Sequence, residues 1–137
     1  MKYHILYADN RRPLKFSGEL LGENNSKSKD EIFAELNTRY EGSSGGNETI
    51  VKLSLYRTTK GKIVLHEQRF NYCEANLIYG WETPSLNAAL SLYPDIGNYI
   101  TDSQKSNGSY GKATVELMRN VLENHPEFEE LWVESID

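Results

Sequence analysis

A single cysteine, Cys73, stands among 137 residues. One thiol can form no internal disulfide and cannot anchor a cysteine-rich metal site, so the fold has to be held by its own core. This cysteine usage fits a reducing compartment, and the cytoplasm is the expected location. No apolar run approaches the roughly 18–20 residues of a membrane-spanning helix. The opening "MKYHILYADN" lacks a small-residue cleavage site, and tyrosine and histidine interrupt its apolar patch. It does not read as a signal peptide.

Several kinds of chemistry lack their signatures. The three histidines, His4, His66 and His125, lie far apart, with no HExxH and no CxxC. No metal or other cofactor is expected. "GSSGGNET" (42–49) is rich in glycine but has no following Gly-Lys-Ser/Thr, so it reads as a flexible connection. Neither GxGxxG nor GxSxG occurs. Cys73 could meet His66 or His125 only through folding, and a lone cysteine is more often a small packing residue.

Positive charge is scarce in one half. Residues 1–70 hold 12 Lys+Arg against 9 Asp+Glu, a net of +3; residues 71–137 hold 3 against 11, a net of −8. A net-acidic chain is poorly suited to DNA, because phosphate contacts need concentrated Lys and Arg. The polarity instead fits a second protein or an anionic ligand as partner.

What is present is strong patterning, 38% hydrophobic and 26% charged. A chain of this size can bury roughly two-thirds of its extended surface. "KYHILYAD" alternates, with Tyr3, Ile5 and Tyr7 on one side and His4 and Leu6 on the other. After the turn "NRRP", "LKFSGELLG" alternates again, and Gly18 within it predicts a bulge or a close backbone approach. Residues 30–41 read as a helix, with Ser28 and Glu31 as a capping box and Gly42 as the stop; a strand is the alternative. "ETIVKLSLYRT" and "KIVLHEQRF" form a hairpin across "TTKG", with Val51, Leu53 and Leu55 facing Ile63 and Leu65.

"NYCEANLIYGWE" is aromatic-rich and irregular by pattern. Thr83 and Pro84 predict an N-cap and first-turn proline for a helix over 85–93, ended by Pro94. Ile96, Tyr99 and Ile100 suggest a short helix, and "SQKSNGSYG" a loop. Lys112–Asn124 is the strongest helix, its apolar arc running through Thr114, Val115, Leu117, Met118, Val121 and Leu122. Asn120 falls on the polar side. "FEELWVESID" alternates and predicts a final strand, with Leu131 and Val133 opposite Trp132. The expected whole is one α+β domain over 1–137. It has an antiparallel sheet of about five strands, with two to four helices packed mainly on one face.

Candidate binding residues follow from two clusters. Arg57, Lys60, Lys62 and His66 fall within ten residues of the hairpin and would suit an anionic group. Tyr79 and Trp81 offer flat rings that could line a pocket between helices and sheet, with His66 added from the hairpin. The terminal carboxylates Glu127, Glu129, Glu130, Glu134 and Asp137 read as a solvated face. Their functional alternative is an acidic surface imitating nucleic-acid phosphate, as in small phage inhibitors of bacterial defence.

Phe16, Gly18, Leu20, Leu21, Gly22 and Glu23, followed later by "LYRTTKGKIVLH", resemble the small bacterial EXLDI family. That family is named for a Glu-x-Leu-Asp-Ile terminus; this chain ends Glu134-Ser135-Ile136-Asp137. The resemblance implies a bacterial or phage-like α+β protein and carries no established activity. Together these readings predict a non-catalytic, macromolecule-binding or regulatory protein. A small enzyme or ligand-binding protein is the rival class, and pairing of an exposed edge strand would allow a homodimer.

Overall fold

The structure is a computed structural model that describes residues 2–40, 49–71, 77–90 and 109–133. It is an α+β fold. Five strands form one antiparallel sheet in chain order: β1 (Lys2–Leu6), β2 (Leu14–Glu23), β3 (Thr49–Thr58), β4 (Ile63–Asn71) and β5 (Leu77–Thr83). Helix α1 (Lys29–Tyr40) lies between β2 and β3. Helices α2 (Leu86–Leu90), α3 (Ser109–Asn124) and α4 (Glu129–Trp132) follow the sheet, with a 3-10 turn at Pro126–Phe128 before α4.

The β3–β4 hairpin is the centre of the sheet. Its turn closes with Gly61 at φ 86°, a left-handed conformation that a side chain would strain. The register sets Leu55 opposite Leu65 and Leu53 opposite Glu67, so Val51, Leu53, Leu55, Ile63 and Leu65 share one face. All five are buried beneath α2 and α3. On α3 the residues facing them are Ala113, Leu117, Met118 and Val121, at helical spacing. The predicted arc is thus the packing face, with Val115 and Leu122 at its half-buried margins.

Two glycines set how closely the layers meet. A Cβ on Gly22 would come within 2.8 Å of both Asn120 Oδ1 and Val121 Cγ2, so only glycine lets α3 lie this close to β2. Asn120 is not on a free polar side as expected. Its Oδ1 accepts the Glu23 N–H at 2.9 Å, beside a register shift between Leu20 and Gly22. A Cβ on Gly18 would overlap the Arg57 carbonyl oxygen, which is the close approach the sequence predicted. The bulge itself falls further along the strand.

The opposite face is built from the alternate residues. Helix α1 covers one end, where Ile32 packs with Phe33, Ile50 and Phe70. Its capping box forms as expected: Ser28 Oγ accepts the Glu31 N–H at 3.3 Å, and the Ser28 N–H points back to Glu31 Oε1. At the other end the sheet curls, and residues 7–10 bridge its two edges. The Asp9 N–H donates to the Ile78 carbonyl and the Ile78 N–H to Asp9 Oδ2, at 2.6 and 2.7 Å. Asn10 bonds both backbone groups of Gly80.

Four expectations need correction. The predicted final strand is the 3-10 turn and α4, with residues 134–137 outside the described region. Pro126 starts a turn, and local bonds such as Val133 N–H to the Glu129 carbonyl satisfy the backbone without a neighbouring strand. Phe128 and Trp132, four apart, pack on the core, whereas Leu131 and Val133 are exposed. The fifth strand is instead β5, in the stretch read as irregular. Trp81 packs on the helix side and Gly80 lies under Ala8 and Leu14 on the other, so no apolar–polar alternation marks it. The cap of α2 is Ser85, whose Oγ accepts the Ala88 N–H at 3.1 Å; Thr83 ends β5. Helix α3 begins at Ser109, inside the expected loop. Cys73, Pro94, the 96–100 helix, Gly42 and most of the 42–49 connection lie outside the described residues.

Replacing Leu117, 1% exposed, by alanine should cost about 3 kcal/mol in urea unfolding. Leu131→Ala, at 43% exposure, should stay within about 0.5 kcal/mol.

Candidate functional site

Strand alternation sends His4, Phe16, Gly18, Leu20, Tyr56 and Thr58 to the face away from α3. There the curl makes a trough. Its floor is an aromatic triad: the His4 and Phe16 rings stack with centroids 5.2 Å apart, and Tyr56 lies 4.9 Å from His4 and 5.4 Å from Phe16. His4 Nε2 donates to the Gly18 carbonyl at 3.3 Å. Gly18, on which the β3 backbone closes, lies at the edge of a hollow beside the rings. This open cavity measures about 860 Å³ and is lined by Lys2, His4, Leu20, Tyr56 and Thr58 among others. A second hollow of about 250 Å³ continues past Thr58 and Thr59 toward Phe16, Lys60, Lys62 and Val64.

The basic hairpin is therefore the partition between two hollows, and its charges are unequal. Arg57 turns to the helix side. Its Nε and Nη2 donate to Glu19 Oε1 at 3.1 and 2.6 Å, Nη1 reaches Glu127 Oε1 at 3.4 Å, and the guanidinium lies over the Phe128 ring. The Glu19 bond leads in holding Arg57 above the ordinary guanidinium value. Lys62 donates to Glu82 Oε1 at 2.7 Å, and this bond lowers the Glu82 carboxyl below its usual range. Lys60 in the turn and Lys2 on β1 have no carboxylate partner among the described residues. Net positive charge at the trough thus comes from Lys2 and Lys60, together with Lys15, which also lines the smaller hollow and whose Nζ lies 5.7 Å from the Tyr3 ring centroid.

His66 is buried between the trough and the bridging segment. Its Nε2–H donates to the Tyr7 carbonyl at 3.0 Å. Burial lowers its pKa from the imidazole norm, the Tyr7 bond opposes that, and Lys52 adds to it. Tyr56 goes the other way: burial, then Glu23, raises its phenol, which keeps its proton.

Tyr79 and Trp81 stack on each other with centroids 5.7 Å apart, but on the helix side, opposite Glu67 and Leu65. His66 stands opposite Gly80, on the other face. The six residues proposed from sequence are consequently divided. Lys60 and Lys62 line the smaller hollow, and Arg57 edges the larger. His66 braces the closure, Tyr79 packs under Arg69, whose guanidinium lies 4.7 Å from the Tyr79 ring, and Trp81 packs against the helix-side core. Glu67, wholly buried, accepts from Arg69 Nε at 2.6 Å. Sequence reasoning missed Lys2, His4, Phe16 and Tyr56 as one group. The signal was there in the alternation of β1, β2 and β3, but only the pairing register brings them together.

Comparison with family models, curated proteins and solved structures returned no significant match. No described helix is long and apolar enough to cross a membrane.

The lowered pKa of His66 gives a signed pH dependence. Above the ordinary imidazole value of about 6.5 both folded and unfolded forms are neutral. As pH falls below it, the unfolded chain takes up a proton that folded His66 resists, and stability drops until the lowered folded value is passed. Chemical denaturation at a series of pH values should show this loss in the wild type, and His66→Asn should flatten it.

Proposed function

We propose that the protein is a non-catalytic binding module whose trough holds an extended acidic segment of a partner protein. The observation that carries this reading is the pairing of an aromatic floor with uncompensated lysines, among them Lys2 and Lys60, at the rim. The hollow is open along one side and adjoins a second across Thr58 and Thr59, which suits a chain segment better than an enclosed small molecule. His4, Phe16 and Tyr56 supply apolar contact, and the Tyr56 phenol, held protonated, supplies a donor. The lysines select carboxylates. In this reading the module acts in the cytoplasm of a bacterial cell, as its single cysteine and its EXLDI resemblance suggest, and it regulates by occupying its partner.

The rival enzyme pocket placed His66 beside Tyr79 and Trp81. Those rings and His66 lie on opposite faces of the sheet, which favours the trough as the site.

Titration with a poly-glutamate peptide, followed by amide chemical shifts, tests the reading. Shifts should map to β1, β2 and the 58–61 turn. Affinity should fall between low and physiological salt, where the screening length is about 8 Å. The double variant Lys2→Ala/Lys60→Ala should bind at least about tenfold more weakly. Absence of binding at both salt concentrations would remove the proposal.

A further inference from the structure

Strand β1 is an edge, hydrogen-bonded on one side to β2. Its outward surface is unusual. Tyr3, Ile5 and Tyr7 are 70%, 53% and 67% exposed, a row of large apolar side chains on alternate residues. Natural edges are generally blunted by proline, a bulge or an inward charge. Strand β1 has neither proline nor register shift, and its one full charge, Lys2, points to the trough face.

The backbone phase of this edge can be read from its neighbour. The Ser17 carbonyl accepts the Thr59 N–H at 2.8 Å, so the polar groups of Ser17 face β3. Tyr3 is paired with Ser17 and must turn its own N–H and C=O away from β2. Ile5, two residues on, does the same. Tyr3 and Ile5 therefore combine an exposed apolar side chain with outward backbone groups that meet no described strand.

We propose that β1 pairs antiparallel with β1 of a second copy, about a two-fold axis at His4, with Tyr3 of each chain opposite Ile5 of the other. This register uses the outward groups of Tyr3 and Ile5 on both chains, making four backbone hydrogen bonds by symmetry. It sets the exposed rings and Ile5 side chains into one apolar strip across the junction. Lys2 comes opposite Leu6, so no lysine faces a lysine. Self-complementarity of this kind is what a two-fold contact requires, and it selects a second copy over an unrelated chain. Because both sheets continue through the junction with the same face up, the two His4-floored troughs become neighbours. A five-residue ladder covers less than the roughly 800 Å² per partner of a stable dimer, so association belongs in the micromolar range or weaker.

Sedimentation equilibrium from low-micromolar to millimolar protein reads the proposal directly. Wild type should pass from monomer to dimer. Ile5→Lys should weaken association at least about tenfold. Ile5→Pro removes an outward N–H without taking a bond from the β1–β2 ladder, and should do the same with an unchanged circular dichroism spectrum. If the proline variant fails to fold, the lysine variant carries the test. Hydrogen exchange adds a positional check: the Tyr3 and Ile5 amides should become protected as concentration rises. A wild type that stays monomeric throughout, or a dimer that survives the Ile5 variants, would overturn the pairing.

Discussion

Leu53, Leu55 and Leu65 leave water because Leu117, Met118 and Val121 come down on them from α3. Each fully buried side chain of this kind contributes about 2 kcal/mol, and the other features are arranged around that contact. Gly22 permits the close approach, and Asn120 fixes the helix at one height by bonding the bulged strand. Trp81, Phe128 and Trp132 close the margins of the same cluster. The turn and short helix after α3 are held by this packing and by the Arg57–Glu127 pair.

Strand alternation then divides two tasks between neighbouring residues. On β3, Leu53 and Leu55 hold the helix, while Tyr56 and Thr58 turn to the trough. On β4, Leu65 enters the core while His66 supports the bridging segment. A slip of one residue in the β3–β4 register would exchange the two faces and abolish both. The stiff side that packs the helices thus supports the side that stays open to a ligand.

The parts of this arrangement that were legible in the sequence are those where one face is wet. The β3–β4 hairpin shows its alternation, and α1 shows its capping box. In α3 the apolar arc coincides with the packing face. Strand β5 was hidden for the opposite reason: Trp81 packs on one face and Gly80 is covered on the other, so no apolar–polar alternation marks the run. The terminal segment misled because four residues of alternation look alike in a short strand and a short helix. Phe128 and Trp132 at a spacing of four were the truer signal. Basic residues of the hairpin were visible as charges, but not their neutralisation, since Glu19, Glu82 and Glu127 are distant in the chain. The trough joins residues from three strands and depends on register, which no local pattern encodes.

Every strand of the sheet pairs only with its neighbours in the chain. A meander of this type closes through short or moderate loops, so the entropy lost at each pairing is modest. The central hairpin, with its three-to-four-residue turn, is the cheapest piece to form and the natural seed. Docking of α3 onto β2 and β3 joins segments far apart in the chain and carries the largest closure cost. Assembly of this protein is therefore expected to run from a wetted, half-formed sheet to a late capture of the helix, with the rate set by that last long-range step.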